Sequence, residues 1–199
     1  MNSETKAQDI IRSKGGIIRT VDAQASGIHP RTLYQLRDSG ILEQLSRGVF
    51  KLAEKANISD PDLVIVAMRV PKGVLCLVSA LAYHGITTQI PHEVSIAVPQ
   101  GSKAPKIDNP PVRIHKYSDA TYSMGIEEHM IDGVKIRVYD PEKTLVDCFR
   151  FRNVLGMDVV LEALKLYRSR MKMDINKLMR YASASRIKTV ITPYLEATL

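Results

Sequence analysis

Cysteine is scarce in this 199-residue chain, with two residues, Cys76 and Cys148. Neither has a Cys or His two to four positions away, so zinc-type ligand spacing is excluded. Both sit in apolar, helix-like surroundings and read as buried thiols of a reducing compartment. Long hydrophobic runs are missing too. No window reaches the 18 or so consecutive apolar residues of a membrane span, because Arg69, Lys72 and His84 interrupt the longest stretches. The first residues, MNSETKAQDIIRSK, are too polar for a secretory leader, and the expected location is the cytoplasm. Enzymatic signatures are absent as well: no HExxH, no GxxxxGK[ST], and no GxGxxG after a strand. The histidines, at 29, 84, 92, 115 and 129, form no helical metal-ligand pair. No cofactor or metal is expected.

The remaining composition is that of a globular protein, 45% hydrophobic and 25% charged. Lys and Arg outnumber Asp and Glu by 28 to 21, a net charge of +7, which favours a polyanionic partner.

Near the N-terminus, Ala7, Ile10 and Ile11 recur at helical spacing, and Gly15-Gly16 ends that run. After the short apolar link Ile17–Arg19, Thr20 is positioned to cap a brief helix over 21–26. Gly27-Ile28-His29 makes a tight connection, and Pro30 opens a helix to Asp38 that buries Leu33 and Leu36 and stops at Gly40. Two short strands follow in the stretch from Ile41 to Leu52. Two helices joined by a glycine turn, followed by a strand pair, give a winged helix-turn-helix over residues 1–56. The second helix of such a unit enters the major groove. Its outward set is His29, Arg31, Thr32, Gln35 and Tyr34, the side chains that can read base edges: Arg a guanine, Gln an adenine, Thr a thymine methyl. Arg47 and Lys51 on the strand pair suit phosphate or minor-groove contact. Residues 1–60 nevertheless hold nine Lys/Arg against seven Asp/Glu, so the excess charge lies mostly elsewhere.

Residues 53–60 read as a linker, and 57–199 as a second domain. Helices are expected over about 61–69 and 77–84. The period then changes to two, giving strands at 93–98, 112–117, 126–131 and 134–139 around a Pro/Gly/Lys-rich loop, 99–111. Asp132-Gly133 marks a two-residue hairpin. Helices capped by Asp140, Asp158 and Asp174 follow, with a last one over 186–199 interrupted at Pro193. The expected class is α+β: the N-terminal unit, then a mixed domain with an antiparallel sheet and a C-terminal helical bundle. Between positions 165 and 188 lie Lys165, Arg168, Arg170, Lys172, Lys177, Arg180, Arg186 and Lys188, against one acid, Asp174. They form either a solvated face or a secondary basic surface for DNA, RNA or an acidic protein. Asp140 and Glu142 could tempt a nuclease reading, although a helix start explains both.

HPRTLYQLRDSGIL followed by LSRGVFKL resembles the N-terminal domain of AbiEi-type antitoxins. LVSALAYHGITTQIPHEVSIAVP and VYDPEKTLVDCFR resemble that family's C-terminal domain, so the likeness runs over roughly residues 4–170. It implies a repressor of its own operon acting at inverted repeats in double-stranded DNA, and the antitoxin half of a type IV toxin–antitoxin pair linked to phage defence. The toxin it implies is nucleotidyltransferase-like and is opposed without a stable complex. The resemblance assigns DNA reading to Arg31, Thr32, Gln35 and Arg47 and carries no catalytic role. Two rivals remain: a nuclease or nucleotide-modifying enzyme targeted by the first domain, and an interaction module using the basic C-terminal helices.

Overall fold

The structure, a computed structural model, describes residues 3–103 and 105–197; the expected end of the last helix, 198–199, and Ala104 in the 99–111 loop lie outside the described residues. The chain divides into two compact units. The first comprises Met1–Pro71 with Ile107–Pro110 and His129–Ile136; the second comprises Lys72–Lys106, Pro111–Glu128 and Arg137–Leu199. The stretch 1–56 falls wholly within the first.

In the first unit the helical spacing of Ala7 and Ile11 gives α1 (Ser3–Ser13) one buried stripe. It is followed by β1 (Ile17–Arg19), α2 (Thr20–Ala25) and α3 (Pro30–Asp38). Then come β2 (Leu42–Ser46), β3 (Val49–Leu52) and α4 (Pro61–Arg69). Leu33 and Leu36, three apart on α3, are fully buried among Ile11, Ile18, Phe50 and Leu42. Burial of each leucine contributes about 1.5–3 kcal/mol. Glycine sets the turns around α3. Gly27 takes φ +81 while the Ile28 amide donates to the Ala23 carbonyl. Gly40 takes φ +76 while the Ile41 amide donates to the Leu36 carbonyl. Both are left-handed helix ends that a residue with a Cβ enters only with strain.

The three strands order as β1-β3-β2, antiparallel throughout. Thr20 differs from expectation. The N-cap position is Arg19, without a side-chain cap, and Thr20 already lies in the helix. Arg19 instead reaches Asp22 at 2.5 Å, and the Thr20 amide donates to the Gly48 carbonyl at 2.9 Å. Residues 53–60 are anchored and do not form a free linker. Within the same unit, Lys55 donates to the carbonyls of Gly15 and Asp132, and the Ser59 amide and hydroxyl donate to the Asp132 carboxylate at 2.8 and 2.7 Å.

The second unit begins with β4 (Val74–Leu75) and α5 (Leu77–Tyr83), followed by β5 (Val94–Pro99), β6 (Val112–Tyr117) and α6 (Asp119–Tyr122). Next are β7 (Ile126–Ile131) and β8 (Val134–Tyr139), whose connecting tip falls in the first unit. Asp132 and Gly133 both have positive φ, +50 and +82, as a two-residue hairpin turn requires. The chain closes with α7 (Pro141–Arg150), α8 (Arg152–Leu155), α9 (Met157–Arg170), α10 (Ile175–Ala184) and α11 (Lys188–Glu196).

The five-stranded sheet runs β6-β5-β4-β8-β7, and it is mixed, not antiparallel as expected. β5 pairs with β6 in parallel, Val94 opposite Val112 through Pro99 opposite Tyr117. A parallel pair needs a crossover of a dozen or so residues, and the Pro/Gly/Lys-rich loop supplies that length. β4 pairs antiparallel with β5 and parallel with β8.

α7 is buried continuously from Glu142 to Phe149, and α9, α10 and α11 contribute Leu164, Tyr167, Leu178 and Ile191 to the same core. Two expected starts are corrected. α9 begins at Met157 after Gly156, so Asp158 lies inside its first turn and makes no cap. α11 begins at Lys188 because Arg186 takes a left-handed φ of +58.

Candidate nucleic-acid interface

α3 starts where its sequence places it. His29 occupies the N-cap, its Nδ1 accepting the Arg31 amide at 3.2 Å, and Pro30 fills the first helical position. With Leu33 and Leu36 inward, the side chains of His29, Arg31, Tyr34 and Gln35 are exposed and that of Thr32 is half-buried. The imidazole of His29 thus serves the helix end as well as the surface. Tyr34, 42% exposed, rests edge-on against Phe50 at 5.8 Å and lies beneath the Arg37 guanidinium at 5.0 Å. Arg37 in turn binds Asp38 at 2.7 Å and Gln44 at 3.0 Å. This chain of contacts fixes the far end of α3 onto β2 and leaves Arg31 and Gln35 as the unencumbered polar groups near its start.

The turn between β2 and β3 consists of Arg47 and Gly48, Gly48 at φ +76. It presents Arg47, exposed, at its tip. Lys51 is a correction. It is 4% exposed, its ammonium 3.1 Å from Glu43 and 3.2 Å from the Lys55 carbonyl, so it is not available to a phosphate. Strand alternation cannot disclose this, because all four residues of β3, the central strand, are buried. Sequence reasoning missed Arg69. At the end of α4 its guanidinium donates to the Arg47 carbonyl, adding a second cation beside the turn within the first unit. Its only sequence signal is the basic residue in the last turn of α4.

In the second unit, Lys165, Arg168, Arg170, Lys172, Arg180, Arg186 and Lys188 are exposed. Arg170 also donates to the Gly85 carbonyl. Lys177 does not belong with them. It lies between two carboxylates, 3.1 Å from Asp140 and 3.1 Å from Glu142. Asp140 and Glu142, 2% and 6% exposed, are otherwise occupied as well. Asp140 caps α7 by accepting the Lys143 amide at 2.7 Å and the Tyr181 hydroxyl at 2.9 Å, and Glu142 accepts the Tyr167 hydroxyl. Burial raises Asp140 above the usual carboxylate range, opposed by those donors. In Glu142 burial also pushes upward, but the hydrogen bonds from Tyr167 and Lys177 prevail and hold it below. Burial lowers the proton affinity of Lys177, yet the two carboxylates outweigh it and raise the ammonium above its ordinary range. Burial and the Asp140 carboxylate raise the Tyr181 phenol to about 12. The cluster is a closed packing element in which one ammonium and two phenol hydroxyls hold two carboxylates.

Other titratable pairs also have structural partners. Ser79 donates to the Glu93 carbonyl and accepts the Ser95 amide, whereas His84 Nε2 lies 2.7 Å from the Tyr139 carbonyl; no Ser–His dyad forms. Both cysteines are fully buried, which pushes their thiols well above the usual range. Among the described residues no His/Cys/Asp/Glu group could hold a metal ion, and no helix is long and apolar enough to cross a membrane.

Similarity to known proteins bears on the fold and on the first unit. A crystal structure of the RV2827C protein from Mycobacterium tuberculosis superposes with a TM-score of 0.57 over 92% of this chain and 74% of that one. At 16% identity this likeness speaks for the fold alone. No curated protein matches the sequence. Residues 6–53 match the model of a family described as a transcriptional regulator, AbiEi antitoxin. The matched stretch runs from within α1 to just past β3 and includes α3.

Proposed function

We propose that this protein is a sequence-specific DNA-binding repressor, with residues 1–56 acting as a winged helix-turn-helix. The observation that carries the reading is the exposed start of α3, where Arg31 and Gln35 stand free above the buried Leu33 and Leu36. In this reading α3 lies in the major groove, Arg31 and Gln35 meet base edges, Thr32 touches a thymine methyl, and His29 and Tyr34 line the contact. Arg47 meets the sugar–phosphate backbone from the turn. The family match over residues 6–53 supports regulation of transcription. The finer reading is an antitoxin of a type IV system that autoregulates its operon at inverted repeats and opposes a nucleotidyltransferase-type toxin without a stable complex. It rests on the resemblance of the SALAYHG and DPEKTLVDC segments.

The test is an operator titration with the promoter region upstream of the gene. Arg31→Ala should lose about 1–3 kcal/mol of binding and relax preference at one base pair. Arg47→Ala should weaken binding to all sequences and flatten the salt dependence by about one phosphate contact. Unchanged binding by both variants would refute the assignment.

A further inference from the structure

Within the second unit, a cleft of about 480 Å³ opens between the sheet and the helices that cover it. Its apolar walls come from Leu77 and Val78 of α5, Phe151, Val154 and Leu155 around α8, and Val159 of α9. On the sheet side, β6, the edge strand, contributes Arg113 and His115, two apart and therefore on one face. Two features set this cleft apart from a packing defect. The first is His115 Nε2, which is buried without a hydrogen-bond partner among the described residues. A buried polar atom left so is destabilising, and native interiors keep few of them. The ring is held edge-on to Phe151 at 5.6 Å. Burial, aided by nearby Arg113, lowers its proton affinity. The second is Leu77, a non-glycine residue at φ +49 on the opposite wall. Such strain persists where the surroundings impose it, and it clusters at ligand sites.

Charge at the mouth is already neutralised, since Arg113 pairs with Glu93 at 2.6 Å. Nothing there selects an ion. The volume lies in the range of small-molecule pockets, and the rim keeps exposed aliphatic side chains, Ile90 at 82% and Val154 at 70%. We infer that this cleft binds a small, uncharged, largely aromatic molecule carrying one hydroxyl-like group, which supplies the missing partner of His115 Nε2. A hydroxyl fits either tautomer of the ring, because it both donates and accepts. This inference does not depend on DNA binding.

Two probes of nearly equal size test it on the full chain. 2-Naphthol carries the hydroxyl and naphthalene lacks it. Titration followed by probe fluorescence should give 2-naphthol a Kd about tenfold lower than naphthalene, the factor expected for one net hydrogen bond. His115→Phe should abolish that preference while leaving naphthalene binding and the melting temperature of the free protein undiminished, since no hydrogen bond is lost. Val154→Trp, at an exposed rim position, should weaken both probes. Equal affinity of the two probes for wild type would overturn the inference, as would a preference that survives His115→Phe or binding indifferent to Val154→Trp. Should His115→Phe not fold, the wild-type imidazole resonances decide. 2-Naphthol must shift those of His115 ahead of the other four histidines, and a shift confined to the others overturns it.

Discussion

Lys143 and Asp147 lie one turn apart on α7, both 0% exposed, their charged atoms 2.5 Å apart. The ammonium also lies over the rings of Tyr139 and Tyr117, 4.4 and 5.0 Å from their centroids. Both residues belong to the DPEKTLVD segment, so their behaviour decides whether that segment is packing or chemistry. Lys143→Met keeps the apolar stem and deletes the charge, leaving the Asp147 carboxylate in the core without its cation. Breaking a buried pair from one side costs about 3–5 kcal/mol. For a chain of this length that corresponds to a fall in Tm of roughly 6–20 °C. Removing both charges in Lys143→Met/Asp147→Leu should recover most of the loss, because neither desolvated ion remains. pH supplies a second readout. Burial already raises Asp147 against the pull of Lys143; without that cation it rises further. A carboxyl whose folded pKa exceeds its unfolded one gains stability as pH falls, so the deficit of Lys143→Met should shrink on acidification. Thermal melts by circular dichroism across pH 5–8 measure both effects. A single variant that loses less than about 1 kcal/mol, or a double variant as damaged as the single, would refute the argument.

Lys177→Met should also destabilise, because Asp140 and Glu142 would then face each other as buried anions, and its melting temperature should rise between pH 7 and pH 5 as one of them takes up a proton. In the wild type the signs differ. The raised Lys177 contributes fully below the ordinary lysine range and its contribution is lost as pH climbs through its folded value, whereas the contribution of the lowered Glu142 is lost as pH falls; denaturant titrations on both limbs check this. Gly125→Ala should fold poorly, since φ is +70 there and an added Cβ would stand 2.7 Å from both the Asp140 carboxylate and the Lys143 Cβ, a collision that expression yield and melting temperature report. Leu36→Ala should lose about 2–5 kcal/mol of stability in the first unit and weaken DNA binding only through unfolding, which binding at low temperature separates from a direct contact.

The parts legible in the sequence are those governed by neighbours along the chain. Pro30, the Leu33–Leu36 pair and Gly40 specify α3 because a helix start, an inward stripe and a left-handed stop are each local events. Asp60, Asp140 and Asp174 cap their helices for the same reason, and Asp132-Gly133 turns its hairpin. What the pattern leaves open is tertiary. β4 has two residues, too few for any period, yet it joins both halves of the five-stranded sheet. Lys51 and Lys177 look like surface cations until partners far from them or on another strand appear: Glu43 for the first, Asp140 and Glu142 for the second. Sequence reading takes Lys51 as a DNA contact and Lys177 as part of a basic run, either solvated or polyanion-binding, because a charge is visible locally and its neutralisation is not. Arg69 is the converse case, brought to the Arg47 turn by the packing of α4 within the first unit.

These pairings bear on how tightly the first unit can hold DNA by itself. Arg12 is bound by Asp9 and Glu54, Arg19 by Asp22, Arg37 by Asp38, and Lys51 by Glu43. Around α3 and the β2–β3 turn that leaves Arg31 and Arg47 exposed without an ion-pair partner among the described residues. Each phosphate neutralised changes the slope of log K against log salt by about −0.9. One copy using Arg47 and a few amides on phosphates should therefore show a shallow slope, about −1 to −2, and weak binding to random duplex. Sequence preference would then rest on Arg31 and Gln35 and would strengthen where two copies occupy an inverted repeat. Titrating a half-site and a full repeat over a salt series distinguishes the cases. A steep slope on the half-site, about −5 or beyond, would mean that cations outside this face carry the binding, and the exposed lysines and arginines of α9 to α11 would be the place to look.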